Sequence, residues 1–237
     1  MELVYPPVLV LARTVIRAMA YDVMTVSSNN IPRRGGAVLA SNHIGYLDFV
    51  FTGYAALEQE RRVRFLAKKE IWNNKVAAML MNGMHHIPVD RKAAPGDAYK
   101  AAEEALESGE LIGMFPESTI STSFVPKKGK TGSARLAQSA GVPLIPIALW
   151  GTQRILTKGR PRNYQRNIPI HIVVGDPIPT SPDDDPVALT EELMGEIRSL
   201  LKKAQDEYPD TPSGPGDRWW LPAHLGGTAP TPDEAER

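Results

Sequence analysis

The chain has 237 residues, 42% hydrophobic and 23% charged, which suits one large folded domain with appendages and excludes a wholly disordered polypeptide. Its 27 Lys and Arg balance its 27 Asp and Glu to a formal net charge of 0, so no global basic field exists to drive nucleic-acid binding, and any anion site must be local. The lack of cysteine removes thiolate nucleophiles, disulfides, zinc fingers and iron–sulfur clusters together.

From the N-terminus, Val8, Leu11, Ala12, Val15, Ile16, Met19 and Val23 recur at helical spacing, and Arg13 and Arg17 lie one turn apart on another face. This predicts an amphipathic helix over 8–24 within an N-terminal segment 1–34. It either packs on the core or lies at a lipid interface with its arginines among the headgroups. The two arginines interrupt a run that would otherwise approach the roughly 18 apolar residues needed to cross a bilayer. The segment also has no basic n-region or cleavage site, so no secretory signal is expected.

Over 35–208 short apolar runs alternate with helical stretches. Strands are predicted at 37–40, 63–67, 86–89, 111–115, 144–149 and 170–174, with helices near 49–57, 71–81, 98–107 and 132–140. This alternation predicts an α/β fold with a mixed, largely parallel sheet flanked by helices. Asp97 is a candidate N-cap and Gly109 a stop for the helix between them. Asp185 and Pro186 announce a last helix with Leu189, Leu193, Ile197, Leu200 and Ala204 along one stripe. Residues 209–237 hold six Pro and four Gly and read as a tail. Trp219 and Trp220 within it either dock on the folded body or dip into a membrane interface.

Three blocks at strand ends carry chemistry. In Ser41-Asn42-His43-Ile44-Gly45-Tyr46-Leu47-Asp48, a spacing of five would set His43 and Asp48 about 140° apart on a continuous helix, so they meet only if the chain turns between them. An imidazole held by a carboxylate suits proton abstraction from an alcohol at neutral pH, although such a pair can equally be a structural hydrogen bond. Phe115-Pro116-Glu117-Ser118-Thr119 puts Glu117 at another strand end, and Ile87-Pro88-Val89-Asp90-Arg91 puts an arginine at a third. A fourth block, Val142-Pro143-Leu144-Ile145-Pro146-Ile147-Ala148, reads locally as structure alone.

In the order NHIGYLD, IPVDR, FPEST, VPLIPIAL, these blocks resemble the four motifs of glycerolipid acyltransferases of the 1-acylglycerol-3-phosphate acyltransferase (lysophospholipid acyltransferase) type, over about residues 35–150. The resemblance implies transfer of a fatty acyl chain from a thioester, acyl-CoA or acyl carrier protein, to a hydroxyl of a lysophospholipid or related glycerolipid. His43 would be the general base and Asp48 its orienting partner. Arg91, Glu117, Ser118 and Thr119 would belong to the acceptor or phosphate site. No metal and no cofactor beyond the acyl donor is implied, and the expected location is peripheral, on the cytoplasmic side of the cell membrane.

Family members acting on lysophosphatidic acid usually read Phe-Pro-Glu-Gly-Thr-Arg in the third block, whereas Ser118 and Ile120 replace the glycine and the arginine here. The missing cation would have to come from elsewhere, with Lys127, Lys128, Lys130 and Arg154 the nearest candidates. Alternatively the acceptor is a glycolipid hydroxyl, since the ESTIS variant and the WWLPAHLGG tail are similar to actinobacterial relatives, among them enzymes acting on phosphatidylinositol mannosides. Two rivals stand beside this reading: a non-catalytic lipid-binding module using the same cleft, and a metal-dependent hydrolase using His43, Asp48, His85 and Asp90. Gly129-Lys130-Thr131 lacks the first glycine of a nucleotide-binding loop, because Phe124 occupies that position. With no Cys and no G-x-S-x-G elbow, an acyl-enzyme is disfavoured; Ser41 and Ser118 are its formal candidates.

Overall fold

The computed structural model describes residues 4–90 and 96–236. In chain order the elements are α1 (Tyr5–Ala18), β1 (Asp22–Val26), β2 (Ala37–Ser41), α2 (Asp48–Leu57), β3 (Val63–Lys68), α3 (Lys75–Gly83), β4 (Ile87–Val89), α4 (Gly96–Glu107), β5 (Leu111–Met114), α5 (Gly132–Ser139), β6 (Leu144–Trp150), β7 (Pro169–Val174), α6 (Pro186–Asp206) and a terminal turn of helix, α7 (Pro232–Ala235). The strands form one seven-stranded sheet in the order β1-β7-β6-β2-β5-β3-β4, parallel at every pairing except β6 with β7. The mixed, largely parallel α/β architecture expected from the alternation is the one observed.

The period of two along the strands sorts their side chains into two cores. In β2, Ala37 and Leu39 face a cluster with Phe51, Ala55 and Ala56 of α2, whereas Val38 and Ala40 face Leu106 of α4, Leu136 of α5 and Leu193 of α6. All five residues of β2 are buried, as befits the centre of a sheet covered on both faces. Its neighbours β5 and β6 run parallel to it, in registers that include Ala40↔Met114 and Ala40↔Pro146. The carboxyl ends of β5, β2 and β6 therefore open side by side at one edge, where ligands of α/β sheets bind.

Several boundaries differ from the sequence expectation. The helix expected over 8–24 ends at Ala18, and Asp22–Val26 becomes an edge strand because β7 offers a parallel partner, Val23 opposite Ile170. Tertiary pairing overrides helical periodicity there. The helix expected near 71–81 is a 3-10 stretch, Lys69–Asn73, followed by α3, whose start is fixed by Asn74 accepting from the amides of Val76 and Ala77. Asp97 lies inside the first turn of α4, where its charge meets the helix dipole, so it is not the N-cap. Gly109 does stop that helix, at φ +85°, and Asp185 caps α6 through the amides of Val187 and Ala188.

The 209–236 segment lies on the body. Trp220 is 1% exposed and packs with Trp150 and Tyr208 at centroid distances of 6.4 and 5.7 Å. Arg160 lies over the ring of Trp219 at 5.4 Å.

Close packing inside the sheet is testable at Gly113 of β5, where a Cβ would fall 2.2 Å from Cε1 of Phe65. Gly113→Ala is expected to lower the stability measured by urea unfolding by about 1–3 kcal/mol, the usual cost of overpacking a full core. An unchanged midpoint would mean that the Phe65 ring has room to withdraw.

Candidate active site

The chain leaves β2 at Ser41 and turns before α2 begins at Asp48, and this turn folds the five-residue spacing back on itself. His43 Nδ1 lies 2.9 Å from Asp48 Oδ2, which also accepts from the amides of Ile44 (2.7 Å) and Gly45 (2.8 Å). The other carboxylate oxygen accepts from the Thr152 hydroxyl at 2.6 Å. Asp48 is fully buried, and four donors surround a group that, ionised, can only accept. Gly45 lets the loop lie flush on its neighbour, since a Cβ there would fall 3.1 Å from the carbonyl oxygens of Thr152 and Leu156.

With Nδ1–H donating to Asp48, the imidazole keeps Nε2 as its basic nitrogen. The His43 side chain retains 19% exposure and stacks on Phe115, ring centroids 4.1 Å apart and planes inclined by 18°. Phe115 in turn stacks on Phe65 at 6.3 Å. Asn42, fully buried, pairs with Leu149 of β6 through both ends of its amide, at 3.0 and 2.7 Å, and extends the β2–β6 junction by one step toward the site.

Glu117 follows β5 and lies behind His43. Its Oε1 accepts from the His43 amide and its Oε2 from the Lys127 amide, each at 2.9 Å. The side chain is 4% exposed, so it staples the backbones of three segments together. Burial lifts its carboxyl up to about 7, although the two amide donors pull the other way. Lys130 adds a second clip, its amide donating to the carbonyl of Pro116 at 3.0 Å. The loop bearing Lys127, Lys128 and Lys130 is thereby held beside the Glu117 block; the side chains of Lys128 and Lys130 are exposed and that of Lys127 is half-buried.

Ser118 is half-buried at φ +59°, and Thr119 is exposed. Arg91 lies outside the described residues. Ile120 is 6% exposed, so the residue that departs from the resemblance in the third block is buried rather than presented at the rim. Arg154 is not an acceptor-site cation. It is 2% exposed, bonds Tyr208 and Asp210 through Nη1, and stacks over Trp220 at 4.4 Å. Ser41 is fully buried against the Thr52 hydroxyl and not presented to a substrate. His86 accepts from the Phe65 amide at 3.1 Å, and His85 and Asp90 do not join His43 and Asp48: among the described residues no three His, Asp or Glu groups are arranged to hold a metal ion.

Sequence reasoning missed Thr152, Phe115 and Asn42. The signal for Thr152 was its place just past the strand of the fourth block. For the other two it was their place within the His43 and Glu117 blocks, directly before His43 and two residues before Glu117.

The sequence pattern of the Acyltransferase family matches residues 23–150, more than half of the chain and the stretch from within β1 to the end of β6. The chain belongs to this family. Among similar proteins, the 1-acyl-sn-glycerol-3-phosphate acyltransferase of Bacillus subtilis is 28% identical over 201 residues, covering 81% of this acyltransferase and 94% of the Bacillus protein. The 1-acyl-sn-glycerol-3-phosphate acyltransferase of Limnanthes alba is 32% identical over 168 residues, 69% of this chain and 57% of that protein. The crystal structure of the 1-acyl-sn-glycerophosphate acyltransferase PlsC from Thermotoga maritima shares the fold, with a TM-score of 0.67 at 20% identity over 84% of this acyltransferase and 80% of that chain.

The raised Glu117 carboxyl has a consequence for stability. Its folded value of about 7 lies above the usual range for a carboxyl group, so the folded state holds the proton more tightly, and this group's contribution is largest at low pH and is lost as pH rises toward 7. Between pH 5 and 8 the wild type is expected to lose on the order of 2 kcal/mol relative to Glu117→Gln, compared by urea unfolding at each pH. Parallel pH profiles for the two proteins would contradict the burial effect.

Proposed function

We propose that this acyltransferase moves a fatty acyl chain from the thioester of acyl-CoA or acyl carrier protein to a hydroxyl of a lysophospholipid of the 1-acylglycerol-3-phosphate class. The observation that carries the reading is the His43–Asp48 pair at the open edge of the sheet, joined by stacked rings to an apolar groove. That groove runs between α1 and α2, lined by Val8, Ala12, Ile16, Val50, Gly53 and Phe65 among others. Phe65 stacks on Phe115 and Phe115 on His43, so one row of rings links the groove to the imidazole, and the groove is the proposed place for the acyl chain.

In the proposed step, the acceptor hydroxyl gives its proton to His43 Nε2 as its oxygen bonds to the thioester carbonyl carbon. The tetrahedral oxyanion collapses, the C–S bond breaks, and the leaving thiolate takes the proton back from the imidazolium. Asp48 holds the ring and stabilises the cation formed during transfer. The thioester is already activated, so base catalysis and the positioning of two substrates supply the acceleration. Lys127, Lys128 and Lys130 are the cations proposed to meet an acceptor phosphate, together with Arg91. A second reading, a glycolipid hydroxyl as acceptor, is favoured by the burial of Ile120, an apolar side chain at the position where the resemblance implies an arginine.

No helix among the described residues is long and apolar enough to cross a membrane. The proposed location is peripheral, at the cytoplasmic face, with α1 and α3 as the contact. Val10 and Leu11 of α1 are each 64% exposed, and Val76 and Met79 of α3 are 64% and 61% exposed. The two helices adjoin, since a Cβ on Gly83 at the end of α3 would meet the side chain of Val4.

Incubation with labelled palmitoyl-CoA and a panel of lysophospholipids and glycolipids tests the activity and separates the acceptors. His43→Gln is expected to reduce labelling by at least about 10²-fold while binding to liposomes persists. Retained activity refutes His43 as the base, and labelling of no acceptor by the wild type supports the lipid-binding module instead. Introducing Val10→Glu with Leu11→Glu should weaken co-sedimentation with anionic liposomes about a hundredfold or more, because each loses roughly 1.5–3 kcal/mol of apolar burial. Undiminished sedimentation would remove α1 from the contact.

A further inference from the structure

We infer that Thr152 is a positioning residue for the His43–Asp48 pair, and that the segment 209–236 is a strap holding the turn that carries it. Thr152 is fully buried and donates to Asp48 Oδ1, the carboxylate oxygen that does not touch His43. The three donors on Oδ2 come from the turn 43–45, which is local to Asp48, and the fourth comes from 104 residues away. That fourth bond anchors the second carboxylate oxygen and so helps hold the carboxylate against the ring, and a carboxylate held at Nδ1 favours the Nδ1–H tautomer.

Thr152 begins a 3-10 turn, Thr152–Arg154, directly after β6 and Gly151. Gly151 stands at φ +95°, and a Cβ there would lie 2.2 Å from the Pro169 carbonyl oxygen, so the chain enters the turn pressed against β7. The next two residues are held by the strap. Gln153 accepts from the Gly151 amide at 2.9 Å and donates to the Trp220 carbonyl at 3.2 Å. Arg154 is a buried cation, and it pairs with Asp210 and lies 4.4 Å from the Trp220 ring, both in the strap. Its other partner is Tyr208, whose phenol, pushed up to about 12 by burial, stays protonated and donates to Pro169 at 2.7 Å.

The same segment is tied to the His43 loop on its far side. Thr157 donates to the Ile44 carbonyl at 2.6 Å, and Leu156 accepts from the Tyr46 amide at 2.9 Å. Residues 152–157 therefore bridge the strap and the turn that forms the pair.

Ring-nitrogen NMR of protein labelled with ¹⁵N-histidine reads this arrangement without any substrate, the His43 signals being assigned by their absence in His43→Gln. At pH 8 the wild-type ring is expected in the Nδ1–H tautomer. Thr152→Val should shift it toward Nε2–H and lower kcat for acyl transfer about tenfold with KM unchanged, and Thr152→Ser should restore both. A wild-type tautomer and kcat in Thr152→Val, or a Ser variant no better than Val, overturns the assignment of Thr152. Trp220→Leu, or Asp210→Ala should the former not fold, is expected to shift the ring the same way and to add nothing in the Thr152→Val background. Additive effects, or none from the strap variants, overturn the strap. The kinetic arm rests on the acyl-transfer reading: if the wild type labels no acceptor, that reading fails, and the tautomer populations still decide the role of Thr152.

Discussion

The structure depends on one buried carboxylate. Asp48 is removed entirely from water, a position that a charged group holds only when its lone pairs are met by donors. Those donors come from the turn after β2 and from the turn after β6, so burial of a single anion fixes two loops at the mouth of the sheet. His43 is then oriented as a consequence, because the oxygen that gathers the turn amides is also the one that receives its Nδ1–H.

Glu117 plays the complementary part from the third strand. Its carboxylate joins the His43 amide to the Lys127 amide, so the ends of β2 and β5 and the lysine loop move as one unit. Asp48 ties β2 to β6 and Glu117 ties β2 to β5, and together they turn three parallel strand ends into a rigid rim. His43 sits on that rim with its ring against Phe115, so the polar rim and the apolar interior meet at a single side chain.

The four sequence blocks exposed much of this arrangement. The alternation of strands and helices predicted the layered α/β fold, and His43, Asp48 and Glu117 do meet where the strand ends open. Roles were less legible than positions. The resemblance implies an acceptor-site role for Glu117, and both of its oxygens hold backbone amides. Arg154 is by residue type a candidate for the missing cation, yet it lies under the tail. In both cases the residue type is the one expected at a binding site, and only the partners in space reveal a structural task.

The sequence alone determined what is local or periodic: the strand at β2, the N-cap and apolar stripe of α6, the absence of thiol chemistry, and a His and an Asp close enough in the chain to meet across a turn. Tertiary structure decided what depends on partners far away in the chain. β1 is a strand because β7 lies beside it, the Pro- and Gly-rich tail is ordered because Trp220 finds Trp150 and Arg154, and Thr152 belongs to the site because β6 ends next to β2. Periodicity and propensity are set by neighbours in the chain, whereas a hydrogen bond between residues 48 and 152 exists only once the sheet has brought their strands together.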